Sequence, residues 1–216
     1  MPDNKPTHYD AGSDGPSRGT LMILGGLVAV LVVGGIIALV AAGRGGDDAP
    51  SLADIEPPAV SGRALSDFAP GTDDPAIGLE MPFVEGVDFS GAVQKLEPTG
   101  KPQGIVFLAH WCPHCQNEVP VVQDWLDDGG LPEGAELRSV ASGIDPSRAN
   151  YPPDAWLDHE GWTPSIVVDI TGQVSTAYGL NAYPYWVFVD GDGKIVRRSS
   201  GSITPSELES IFSSLL

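Results

Sequence analysis

The only two cysteines of this 216-residue chain, Cys112 and Cys115, lie in a single turn, Trp111-Cys112-Pro113-His114-Cys115. An apolar run precedes that turn, and Val119, Val122 and Leu126 recur at helical spacing after it. This pattern predicts a short strand over Gln103 to Ala109 and a helix over Pro113 to Asp127. Pro113 suits the first helical turn, where its missing N–H costs nothing. Pro120 falls inside the helix and is expected to kink it. The first sulfur then sits at a helix start, where unpaired N–H groups and the helix dipole favour the thiolate. The thiolate is the nucleophile of disulfide exchange, so Cys112 is the expected attacking group and Cys115, one turn inside, the resolving one. His114 either adds positive charge near Cys112 or is a solvated first-turn residue.

The segments around this unit alternate between strand and helix signals, the mark of an α/β layer fold. Further strands are expected over Ala135 to Ala141 and Ser165 to Ile170, with a short helix near Asp154 to His159. Gln173 to Tyr178 predicts a helix closed by Gly179. Trp186 to Asp190 and Lys194 to Arg198 predict a hairpin around Gly191-Asp192-Gly193. Thr204, Pro205 and Glu207 form the start signal of a last helix whose Leu208, Ile211, Phe212 and Leu215 point inward.

Composition removes several function classes. With 29 acidic and 11 basic residues, a formal charge of −18, the chain lacks the basic surface that binds nucleic acid through phosphates. Two cysteines cannot build a disulfide scaffold, and His8, His110, His114 and His159 are too scattered for a structural zinc site, so no metal is expected. Asp145, Asp190 and Asp192 lack calcium-loop spacing and suit turns. No glycine-rich phosphate loop or Ser/His/Asp arrangement stands out, and no dissociable cofactor is expected beyond a redox-active Cys112–Cys115 disulfide.

Leu21 to Ala42 runs 22 positions without a charge, enough to cross a bilayer as a helix. A transmembrane anchor over 21–43 is expected, following a cytoplasmic tail over 1–20. A cleaved signal peptide ending near Val40-Ala41-Ala42 is the rival; the length of the run and the acidic residues Asp3, Asp10 and Asp14 before it oppose that. Residues 44–75, with Pro50, Pro57, Pro58, Pro70 and Pro75, show no sustained apolar period and are expected to form a flexible acidic tether reaching roughly 30–35 Å. The folded domain then covers 76–216. An exchange-active thiol pair fits an oxidising compartment, which places that domain outside the cytoplasm of a bacterial cell, at the cell membrane.

The chain from about Ala76 onward resembles thioredoxin-fold proteins, and in particular the membrane-anchored TlpA/ResA group of thiol-disulfide oxidoreductases. The resemblance is carried by the Trp111-Cys112-Pro113-His114-Cys115 turn, by Glu118 and Pro120, by Tyr178-Gly179, by Pro184 and by the hairpin from Val187 to Lys194. It implies a central mixed sheet flanked by helices, and protein disulfide oxidoreductase activity. Its implied partners are cysteine-containing extracytoplasmic proteins, with apocytochrome c one candidate, and a membrane redox partner. It further implies a cis-proline facing the cysteines whose neighbouring backbone, with Trp111, holds substrate. Thr163-Pro164 and Tyr183-Pro184 compete for that place; only the second lies directly before the final hairpin, so Tyr183 and Pro184 are assigned to it. By spacing alone Glu118 is a solvent-facing helix residue, whereas the resemblance implies a carboxylate that handles the proton of Cys115. The Pro113-His114 pair is similar to DsbA-type oxidases, while Glu118 and Pro120 resemble reductases, so the direction of electron flow stays open with a lean toward an oxidant.

Two readings of another kind stand beside this one. Cys112, Cys115 and His114 or His110 could hold Cu(I) in a membrane-tethered copper carrier, or the cysteine pair could merely pin a loop. Trp125, Trp156, Trp162 and Trp186 are expected to pack rather than bind a cofactor. The stretch from Ser142 to Thr163 either lines a substrate groove or simply connects.

Overall fold

The computed structural model describes residues 51–216. The expected tail over 1–20 and the apolar span over 21–43 lie outside those residues. Among the described residues no helix is long and apolar enough to cross a membrane.

The strands are β1 (Ala59–Ser61), β2 (Phe83–Val87), β3 (Val93–Leu96), β4 (Gln103–Leu108), β5 (Glu136–Ala141), β6 (Ser165–Val168), β7 (Tyr185–Val189) and β8 (Ile195–Ser200). The helices are α1 (Pro113–Asp127), α2 (Pro153–His159), α3 (Gln173–Ala177) and α4 (Pro205–Leu215). Five strands make a mixed sheet in the order β6-β5-β4-β7-β8, with β4, β5 and β6 parallel and β7 and β8 antiparallel to their neighbours. β4 is central and buried at every position, which explains its unbroken apolar run.

Alternate residues of β4 feed two cores. Val106 and Leu108 join Trp186, Phe188 and the inward residues of α1 and α4, while Ile105 and Phe107 join Tyr185, Val187 and Tyr178 on the other side. Helix α4 opens with the expected capping box between Thr204 and Glu207, and it buries Leu208, Ile211 and Phe212. Helix α1 runs unbroken through Pro120 to Asp127.

The expected tether over 44–75 requires correction in its second half, which is part of the domain. β1 pairs with β2, and β2 with β3, in a three-stranded antiparallel sheet for which the sequence pattern gives no sign. Leu65 N–H donates to the Ala177 carbonyl and Phe68 N–H to that of Gly179, both at 2.8 Å. Gly179 has φ +71°, and a Cβ there would stand 2.2 Å from the Ser66 carbonyl oxygen, so only glycine admits the wrap. The buried Arg198 side chain of β8 then clamps Asp74, with Nε donating to Oδ2 at 2.8 Å. Ile55 and Leu65 are buried. They are too far apart to make a periodic pattern, yet Leu65 fills a place in a core built by distant residues.

Candidate active site

Cys112 occupies the N-cap of α1, with φ −78° and ψ 120°, and Pro113 the first helical position. Gln116 N–H donates to the Cys112 carbonyl at 3.0 Å, which closes the first turn. Both cysteines are thiols, and both are buried: Cys112 is 6% exposed and Cys115 not at all. Ala109 N–H lies 3.5 Å from the Cys115 sulfur and the Cys112 thiol donates to the Tyr183 carbonyl at 3.7 Å. Burial pushes the Cys115 thiol well above its ordinary pKa, and negative charge on Cys112 or Glu118 would push it further. Of the two sulfurs, Cys112 is thus the less deeply buried, while burial favours the neutral thiol at Cys115.

The Tyr183–Pro184 peptide bond is cis and sits against Cys112 through that carbonyl. Thr163–Pro164 is not cis; Thr163 instead donates its N–H and its hydroxyl to the Gln123 side chain. A second cis bond, Tyr151–Pro152, lies in the stretch between β5 and β6.

Glu118 does not face solvent as its spacing suggested. It is 4% exposed, and its Oε1 accepts from Trp186 Nε1 at 2.8 Å and from Ile203 N–H at 3.0 Å. The other carboxyl oxygen is buried without a partner. Burial raises the Glu118 pKa, opposed by these donors and by the nearby Ser202 hydroxyl and His114. His114 itself is exposed on the first turn of α1. Trp186 thus both packs in the core and fixes the carboxyl that lies one turn after Cys115.

The stretch from Ser142 to Thr163 forms a wall of the site, fastened to the two residues before Cys112. Trp111 Nε1 donates to the Gly143 carbonyl at 2.6 Å, and its ring meets Tyr183 edge-on with centroids 5.9 Å apart. Gly143 has φ +60°, and a Cβ there would approach the Tyr183 hydroxyl to 2.9 Å. Ser142 Oγ donates to that hydroxyl at 3.1 Å. His110 is buried, with Nδ1 2.6 Å from the Ala149 carbonyl and Nε2 3.2 Å from the Asp145 N–H. A carbonyl needs a donor and an N–H an acceptor, so these partners assign the donor role to Nδ1 and the acceptor role to Nε2. Both nitrogens are engaged, which takes His110 out of any copper site. Among the described residues, no three His, Cys, Asp or Glu side chains are grouped to hold a metal ion. Arg148 lies over Trp111, its Cζ 3.9 Å from the ring centroid.

A buried cysteine pair at a helix start, the Tyr183 carbonyl of a cis X–Pro bond against it and a mixed β6-β5-β4-β7-β8 sheet behind it make one recurrent arrangement. The model of the thioredoxin-like domain matches residues 89–215, more than half of the chain. The chain belongs to the thioredoxin-like family. Among its relatives, the thiol:disulfide interchange protein DsbE homolog of Paracoccus denitrificans is 28% identical over 164 residues, covering 68% of this chain and 83% of that protein. The thiol-disulfide oxidoreductase ResA of Geobacillus thermodenitrificans is 26% identical over 135 residues, covering 62% and 75%. The solved structure of StoA from Bacillus subtilis shares the fold, with a TM-score of 0.50 at 22% identity over 63% of this chain and 98% of that one. This thioredoxin-like chain is a thiol-disulfide oxidoreductase of the ResA/DsbE type.

Sequence reasoning singled out Trp111, Cys112, Pro113, His114, Cys115, Glu118, Tyr183 and Pro184, and the fold gathers them at the N-terminal end of α1 and the turn before β7. It missed Gly143, Ser142 and Gln116, and it weighed His110 only as a metal ligand. One signal was available: a histidine and a tryptophan, both needing partners when buried, stand directly before the cysteine pair.

Proposed function

We propose that this chain exchanges disulfides with polypeptide substrates outside the cytoplasm while tethered to the membrane by its apolar segment over 21–43. Cys112 is the nucleophile: its thiolate attacks a substrate disulfide, one substrate sulfur bonds to it, and the other leaves as a thiolate. Cys115 then gives its proton to Glu118 and attacks the Cys112 sulfur. The Cys112–Cys115 disulfide forms, and the substrate departs reduced by two electrons. Run backward, the same steps oxidise a substrate dithiol.

The observation that carries this reading is the contrast between the two sulfurs. Cys112 lies at the helix start against the Tyr183 carbonyl, whereas Cys115 is fully buried with Glu118 one turn away. Pro184 and Trp111 shape the surface on which substrate backbone would lie, and Pro113 with His114 sets the electrostatics of the turn. Replacing Cys112 with Ser should abolish exchange, while Cys115→Ser should accumulate a mixed disulfide with substrate. Accumulation in the Cys112 variant instead would reverse the two roles. The partners are cysteine-containing polypeptides and a membrane redox protein.

The direction we propose is oxidation of substrate, on the strength of the Pro113-His114 pair, since stabilising the reduced thiolate makes a disulfide a stronger oxidant. Equilibration against glutathione tests it. A potential near the thioredoxin value, about −270 mV, would make the chain a reductase.

A further inference from the structure

Beside α1 a cleft of about 460 Å³ opens one helical turn from Cys112. Gln116 forms its near wall, four residues after the nucleophile and so about 6 Å along the helix axis. The far wall is α2, through Ala155 and Trp156, with His159 and Glu160 at its end, and the lip is Tyr151 with Pro152. Tyr151 is 42% exposed and Ala155 is exposed, so the lining is open to an arriving chain.

The cleft is already formed, and the His110 carbonyl ties its two walls together. That oxygen accepts from Gln116 Nε2 at 3.0 Å on the α1 side and from Asn150 Nδ2 at 3.3 Å on the other. Asn150, at φ +58°, is the one non-glycine residue with positive φ among the described residues. Its side-chain bond to His110 holds that left-handed turn directly before Tyr151. The Tyr151 ring in turn meets His110 edge-on at 5.9 Å.

We propose that this cleft is a specificity subsite for the substrate polypeptide, taking an aromatic or aliphatic side chain two or three residues from the reacting cysteine. An extended chain advances about 3.3 Å per residue, so a residue at that separation from a sulfur bonded to Cys112 reaches the cleft mouth. The volume suits one large side chain with its flanking main chain. The wall is continuous with the thiol site through Gln116, whose N–H bonds to the Cys112 carbonyl, which favours the substrate itself over an unrelated ligand. The inference rests on Cys112 being the nucleophile.

The test uses the full-length protein in detergent and disulfide peptides with Phe, Leu or Ala two and three residues from the cysteine. Each peptide kcat/KM is divided by the same protein's rate with dithiothreitol, which needs no subsite. Wild type should favour Phe and Leu over Ala by at least about tenfold, and Ala155→Trp, which fills the cleft, should bring that ratio to within twofold of one. Tyr151→Ala, which removes the lip, should lower it as well. No preference in wild type, or a preference that survives in both variants, overturns the subsite. Absence of exchange with dithiothreitol itself overturns the thiol-exchange reading, and the subsite with it.

Discussion

Glu118 and Arg198 are buried to nearly the same degree, at 4% and 5% exposure, on opposite sides of the five-stranded sheet. Their surroundings differ in kind. Arg198 meets both Asp74 oxygens, the Ser66 and Tyr178 carbonyls and the Tyr185 hydroxyl, and hydrogen bonding to Arg198 leads the causes that hold the Asp74 carboxyl below its ordinary pKa. Glu118 has two donors on one oxygen and none on the other, and burial drives its pKa upward. A buried charge whose partners are complete resists any change of protonation, because losing one partner strands the rest. A buried carboxyl with an unused oxygen can take up or release a proton without dismantling its neighbours. The first arrangement holds a fold together; the second suits chemistry.

The largest expected effect tests the structural half of this contrast. Arg198→Met strands Asp74 and should cost about 3–5 kcal/mol of stability in a urea titration. A cost below about 1 kcal/mol would mean that the clamp does not hold the wrap. Next comes thiol reactivity. In the reduced protein, iodoacetamide should modify Cys112 about a hundredfold faster than Cys115, because the thiolate is the reactive form and burial disfavours it at Cys115. Mass spectrometry of the labelled peptides reads the ratio, and equal labelling would erase the difference between the two sulfurs.

Glu118→Gln should slow exchange by about a hundredfold and flatten the pH dependence of its rate, the lower end of what a positioned acid or base contributes. The same variant gives a stability test with a definite sign. Since folding raises the Glu118 pKa, the stabilisation of its protonated form is fully present below the ordinary value of 4.5 and lost as pH rises through the folded value. The glutamine variant should lack that loss. Asp74 has the opposite sign. Its lowered pKa supplies stability that is present above the ordinary 3.8 and disappears as pH falls through the folded value, so Asp74→Asn should show a shallower acid limb in denaturant melts.

What could be read from the sequence was local. The strand before Cys112, the helix from Pro113 to Asp127 and the Thr204–Glu207 capping box depend on neighbours within a turn or two, and all appear where expected. The β1-β2-β3 sheet and the wrap over residues 59–75 depend on partners far along the chain: Asp74 and Arg198 are 124 positions apart. Glu118 shows the same division inside the site. Its spacing from Cys115 was visible, but its burial is decided by Trp186 and Ile203, 68 and 85 positions away. The stretch from Ser142 to Thr163 was legible as an insertion, not as a wall, because its fastening depends on side chains of His110 and Trp111 whose targets are backbone atoms.

The wrap also has a mechanical meaning. A pull on the chain from its N-terminal side meets the backbone bonds of Leu65 and Phe68 and the Arg198–Asp74 clamp before it meets β4 or the start of α1. These contacts belong to the core on the α3 side of the sheet, while α1 packs on the other side. They act as strain relief for the domain: tension arriving along the chain is borne by backbone bonds and a side-chain clamp remote from the two sulfurs.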